Sequence, residues 1–170
     1  ITSGVSSSSF TSSIDSTYDT YMFKFINIHP ASDGVEFQFN GSIDGGSNYN
    51  VTKTTSIFEA GHNESGSATN LNYVTSQDLT QSTAYQLINA NIGNDNDQSG
   101  VAIMYLFSPS STTFVKHFLS VNQRCNSNEY TINSYLGGYF NTTSAINAID
   151  FKMSSGNIDS GVIKMYGITK

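Results

Sequence analysis

Residues 146–168, INAIDFKMSSGNIDSGVIKMYGI, decide how the chain is read. Ile149, Phe151 and Met153 alternate with Asp150 and Lys152, so one face of this run is apolar and the other wet, the period of a half-buried strand. A second run, 162–168, places Ile163 and Met165 on either side of Lys164. Between the runs stand Ser154, Ser155, Gly156, Asn157, Asp159, Ser160 and Gly161. These residue types accept positive φ or bond their own backbone in turns. The pattern predicts a closing β-hairpin. A terminal run this apolar belongs in a sheet rather than in a free tail.

The same two-residue period recurs upstream. In 20–28, Tyr21, Phe23 and Phe25 share one face while Met22, Lys24, Ile26 and Ile28 share the other. Apolar groups on both sides predict a covered outer surface, inside a sandwich or at a subunit contact. Val35, Phe37 and Phe39 alternate with Glu36, Gln38 and Asn40. Further strands are expected at 49–60, 101–107, 113–121 and 130–140, the last bent at Gly137-Gly138, a pair that signals a bulge or close backbone approach. Shorter ones are expected at 10–14 and 71–75. One helical segment is predicted at 82–90, where Ala84, Leu87 and Ile88 share a helical face and Ser82 stands at the N-cap. Short strands closely spaced and not alternating with helices predict an all-β chain: an antiparallel β-sandwich, jelly-roll-like, with at most one short helix. Residues 1–9, ITSGVSSSS, read as a Ser-rich lead-in from an upstream segment, since the chain opens on Ile1 rather than Met. Residues 10–170 read as a single sandwich domain.

Lys and Arg number 7 against 13 Asp and Glu, and charged residues are only 12% of the 170. An acidic balance with scattered cations offers no footprint for phosphates, so nucleic acid is not an expected partner. Ser, Thr and Asn fill 62 positions and must supply the water-facing surface instead. No apolar run approaches the ~20 residues that span a bilayer, and membrane insertion is not expected. The single Cys125 forms no intramolecular disulfide.

Few spacings carry chemistry. Asp95, Asp97 and Ser99 stand at positions 1, 3 and 5 of a calcium-type loop with Gly100 at position 6, but position 12 is Leu106 rather than a bidentate acid. Calcium is thus a candidate ligand of an otherwise cofactor-free chain, set against an ordinary solvated turn. His29, His62 and His117 lie far apart and make no zinc spacing. His29-Pro30 reads as a turn and His117 as a half-buried sheet residue. No G-x-S-x-G elbow is present. Asp44 and Glu64 are the candidates for a glycosidase acid pair, a reading that needs them to converge. The triplets at Asn40, Asn50, Asn63 and Asn141 match N-x-S/T, as expected by chance in so Asn- and Ser-rich a chain. Tyr49, Tyr85, Tyr130, Tyr135 and Tyr139 are candidates for a sugar-stacking patch, against the plainer reading of rings buried at strand ends with wet hydroxyls.

Five stretches carry a resemblance: GVIKMYGI at 161–168, FTSSIDSTYDTYMFKFINIHPASDG at 10–34, DNDQSG at 95–100, LFSPSSTTFVKHF at 106–118 and GGYFNTTSAI at 137–146. Through them the chain resembles, over nearly its whole length, small virion proteins of tailed phages from marine and environmental genomes. The resemblance implies a non-enzymatic structural protein on the virion exterior, either a tail- or head-fibre module or a capsid-decoration protein. Its implied partners are further copies of itself in a homotrimer, other virion proteins and a host surface glycan. The expected contact residues are Tyr21, Met22, Phe23 and Ile26 on the two-sided strand, with Tyr49, Tyr130, Tyr135 and Tyr139. The alternatives are a carbohydrate-binding or carbohydrate-cleaving sandwich domain and a cellular adhesin module.

Overall fold

The computed structural model describes residues 1 and 4–169. Eleven strands are β1 (Ser7–Phe10), β2 (Thr20–Pro30), β3 (Val35–Ser42), β4 (Lys53–Asn63), β5 (Thr69–Tyr73), β6 (Gln86–Ile92), β7 (Gly100–Phe107), β8 (Lys116–Cys125), β9 (Tyr130–Phe140), β10 (Ala148–Met153) and β11 (Ile158–Ile168). They pair antiparallel in two sheets: a four-stranded one ordered β1-β10-β3-β6 and a seven-stranded one ordered β11-β2-β7-β8-β9-β4-β5. The chain changes sheet after β1, β2, β3, β5, β6, β9 and β10, the jelly-roll habit of crossing between layers rather than winding within one. The antiparallel sandwich read from the alternation is therefore the architecture, and no helix occurs among the described residues.

Aromatic rings hold the layers together. Phe25 of the large sheet meets Phe37 and Phe151 of the small one at 5.2 and 4.9 Å between centroids. Phe39 reaches Phe118 at 5.1 Å and Phe140 at 6.1 Å, mostly edge to face. Each of these rings is at most 1% exposed. Burying such a side chain is worth roughly 1.5–3 kcal/mol, with further gain from edge-to-face geometry.

Five expectations change. The closing hairpin does not form, because β10 pairs with β1 and β3 in the small sheet while β11 pairs with β2 at the edge of the large one. Residues 154–157 cross between layers, a connection that uses the same Ser, Gly and Asn as a hairpin turn. Gly161, read as a turn residue, lies inside β11 at a bulge, with φ 131° and an added Cβ only 2.8 Å from the Asn27 carbonyl oxygen. The helix predicted at 82–90 is absent. Its C-terminal half is β6, whose Gln86, Ile88 and Ala90 face inward with period two, and short apolar runs fit either period. The strand predicted to end at 121 runs on as β8 through Cys125, its polar inward residues Asn122 and Arg124 having read as a loop. The 1–9 lead-in contributes too: Ser7–Phe10 is β1, paired with β10.

The two-sided strand β2 explains itself through a bulge. Asn27 takes φ 49°, and the register with β7 slips between Phe25 and Ile28. The slip turns Ile28 inward to 0% exposure and leaves Ile26 outward at 39%. Gly138, flagged as a close approach, sits where a Cβ would lie 2.7 Å from the Thr54 carbonyl oxygen.

Phe151→Ala removes the ring shared by Phe23, Phe25 and Phe37, and is expected to cost about 3–5 kcal/mol by urea denaturation. Phe114→Ala, at a ring 71% exposed, should stay within about 0.5 kcal/mol.

Candidate functional site

Antiparallel pairing aligns outward side chains into rows across the large sheet. The central row runs Lys164, Lys24, Ile103, Val121, Tyr135, Phe58, Tyr73 from β11 to β5. Beside it, Tyr166, Met22, Tyr105 and Leu119 form a second row. On the other side Val162 pairs with Ile26, next to Val101. The Phe58 and Tyr135 rings stack at 5.0 Å with 8° between planes. Exposure is high for buriable side chains: Leu119 54%, Phe58 48%, Val121 45% and Tyr135 45%. The charges on the outward positions of 162–168, 22–26, 101–107, 117–123, 133–139, 54–60 and 71–73 are Lys24 and Lys164, which stand opposite each other, Lys24 over the Tyr166 ring at 5.7 Å. At the far edge, Tyr73 donates its hydroxyl to Asp78 at 2.7 Å. The face is thus broad and apolar, cationic at one edge and acidic at the other.

The expected contact residues divide around this face. Met22, Ile26 and Tyr135 lie on it, and Tyr139 lies on it edge-on to His117 at 6.0 Å. His117 is exposed here, not half-buried. Tyr21 and Phe23 are excluded as contact residues: at 1% and 0% exposure they belong to the core, because odd positions of β2 face inward. Tyr130 is half-buried and opens β9, next to Asn126 and Asn128.

Tyr49 and Tyr85 meet elsewhere, on the outer side of the small sheet. They line a shallow polar depression with Ser6, Ser7, Ser9, Asp150 and Lys152. The Tyr85 hydroxyl donates to Asp150 Oδ2 at 2.9 Å, and Lys152 Nζ lies 4.2 Å from the Tyr85 ring centroid. Burial, then the bond to Asp150, raises the Tyr85 phenol above its ordinary range, so it stays protonated and donating.

The acidic candidates do not make a catalytic pair on β-strands. Asp44 closes its own loop: it accepts from the Ser42 hydroxyl and from the backbone and amide nitrogens of Asn48. Those bonds, Ser42's first, hold its carboxyl down at about 2, an anion rather than a proton donor. Glu64, Asp97 and Ser99 line one shallow depression with Arg124 and Cys125. Burial, then Glu64, Asp97 and Glu129, push the Cys125 thiol up, away from the nucleophilic thiolate. Asp95 takes the Gln98 amide on its carbonyl in an ordinary turn, and its carbonyl lies 3.3 Å from His29 Nε2. His29 lies within β2, next to its last residue Pro30, instead of turning the chain, its Nδ1 3.6 Å from Asp159. Among the described residues no group of three or more His, Cys, Asp or Glu gathers as a metal would require.

Burial of cations was not legible in the sequence. Lys53 and Lys116 are 0% exposed and Arg124 3%. Arg124 bonds Ser134 and, at 3.0 Å, Glu59. Period-two spacing points all three inward, but only their partners show that the interior receives them.

No family model matches the chain, and neither a curated protein nor a solved structure matches it.

Asp44 supplies a pH test. Its folded value lies below the ordinary 3.8, so its contribution to stability is full above that value and is lost as pH falls to about 2. The stability gap between the wild type and Asp44→Asn, followed by denaturant unfolding, should close over that window.

Proposed function

We propose that the chain is a non-enzymatic structural module that works by self-association through the outer face of its seven-stranded sheet. The observation that carries the reading is the apolar field of Ile26, Ile103, Leu119, Val121, Tyr135 and Phe58 on a chain otherwise covered in neutral polar groups. At strand spacings of about 4.8 Å and rows about 7 Å apart, a central row across seven strands, a second across four and a third across three give a face of roughly 450 Å². That lies within the range of a monomer's largest apolar patch and is about half of the ~800 Å² each partner contributes to a stable interface.

The charges favour further copies of the same chain as occupants. In a ring whose large sheets face the axis, the β11–β2 edge of each copy meets the β5 edge of the next, setting Lys24 and Lys164 beside Asp78. A homotrimer closes such a ring, and closure leaves no open face for a filament. The resemblance to tailed-phage virion proteins supplies the setting: the exterior of a phage particle, as a fibre module or a capsid-decoration protein against other virion proteins.

Light scattering at micromolar concentration should return three times the chain mass. Val121→Glu should give folded monomers by putting an unpaired charge into the contact, and Lys24→Glu with Lys164→Glu should weaken assembly. A wild-type monomer under these conditions rejects the interface.

A second reading rests on the small-sheet depression. Tyr49 and Tyr85, with Ser9, Asp150 and Lys152, put ring faces beside hydroxyl, carboxylate and ammonium groups, the mix that holds a sugar. It makes this surface a host-glycan contact of the same module. A glycan array probed with the wild type and with Tyr49→Ala should show binding that the variant loses; an array blank for both removes this reading.

A further inference from the structure

A buried amine lies against a side-chain amide where β3 and β4, strands of opposite sheets, come together. Lys53 Nζ donates to Asn40 Oδ1 at 2.7 Å and to the Val51 carbonyl at 2.8 Å, with the Phe140 ring 5.6 Å away. Both Lys53 and Asn40 are 0% exposed. The amide is held from three other sides. Its Nδ2 donates to the carbonyls of Tyr49 at 2.7 Å and Thr83 at 2.9 Å, and its Oδ1 accepts the Gly41 N–H at 2.9 Å.

The two acceptors on Lys53 match the two N–H bonds of a neutral amine. Burial alone lowers its pKa to about 7, with no acid to restore the charge. A neutral amine keeps a lone pair. With a C=O bond of about 1.23 Å and a hydrogen bond bent at the oxygen, Nζ stands on the order of 3.5 Å from Asn40 Cγ, and attack requires the amine to exchange this hydrogen bond for one that turns its lone pair toward Cγ. The Gly41 N–H on Oδ1 is a donor of the kind that stabilises a developing oxyanion. The Tyr49 and Thr83 carbonyls fix the leaving nitrogen on its own side.

We propose that Lys53 and Asn40 form an intramolecular isopeptide bond joining the two sheets. Lys53 Nζ attacks Asn40 Cγ, the Cγ–Nζ bond forms, the Cγ–Nδ2 bond breaks, and a proton from Nζ leaves with Nδ2 as ammonia. The step is an acyl transfer with no change of oxidation state and needs no co-reactant. Lys116 is the internal contrast. It too is 0% exposed, but its Nζ donates to the backbone carbonyls of Phe114 and Thr142 rather than to a side-chain amide.

Intact mass spectrometry of the folded, purified chain tests this. The expected mass is lower than the sequence mass by one ammonia. Trypsin applied to the unfolded chain should fail to cut after Lys53 and release 25–116 as one peptide carrying that loss. Lys53→Met and Asn40→Ala should each show their full sequence mass. A wild-type chain at full sequence mass, with cleavage after Lys53, overturns the proposal without needing either variant to fold. So does an ammonia loss that persists in Lys53→Met, which would place the chemistry at another amide.

Discussion

Contact between aromatic rings of two sheets is the constraint on which the molecule depends. Phe23 and Phe25 on β2 reach Phe151 on β10, Phe25 also reaches Phe37 on β3, and Phe39 on β3 reaches Phe118 and Phe140 on β8 and β9. All but the Phe25–Phe37 pair join strands distant in sequence, so crossings between layers must deliver rings to the same plane. The bulge at Asn27 is one consequence: it keeps Ile28 in the core after β2 would otherwise have turned it out.

Only four strands cover seven, and the interior under β8, β9 and β4 is correspondingly mixed. Phe118 and Phe140 lie beneath the small sheet, whereas Ser120, Asn122, Arg124, Ser134 and Glu59 are buried nearby. Arg124 and Glu59 pair because an isolated charge there would pay a desolvation cost that neither backbone nor water offsets. Lys53 and Lys116 solve the same problem with carbonyl oxygens instead of a carboxylate. Three of the seven cations are thus withdrawn from the surface. What remains outside is more acidic than the composition suggests, which makes the outer face of the large sheet, with an acid only at its β5 edge, stand apart from the rest.

That face and the small-sheet depression differ in kind. One is wide, apolar and nearly uncharged, suited to another protein surface. The other is small and polar, with rings and charged groups close together, suited to a hydroxyl-rich ligand. Their location on opposite outer surfaces of the sandwich lets one module assemble through one side and present the other.

Alternation in the sequence determined the all-β class, most strand positions and the inward set of β3 and β10, because side-chain direction in a strand follows local geometry. It also marked Met22, Ile26 and Tyr135 as outward-facing candidates and Gly138 as a close approach. Alternation does not say which strand lies beside which. A turn rich in Ser, Gly and Asn serves a hairpin and a crossing between layers equally, so only the tertiary structure separated β10 from β11 and turned a helical reading of 82–90 into β6. The same limit hid Tyr21 and Phe23 in the core, gathered Tyr49 with Tyr85 and Asp150, and brought Lys53 to Asn40. Partners are chosen by packing between segments far apart in the chain, and a local pattern carries no record of that choice.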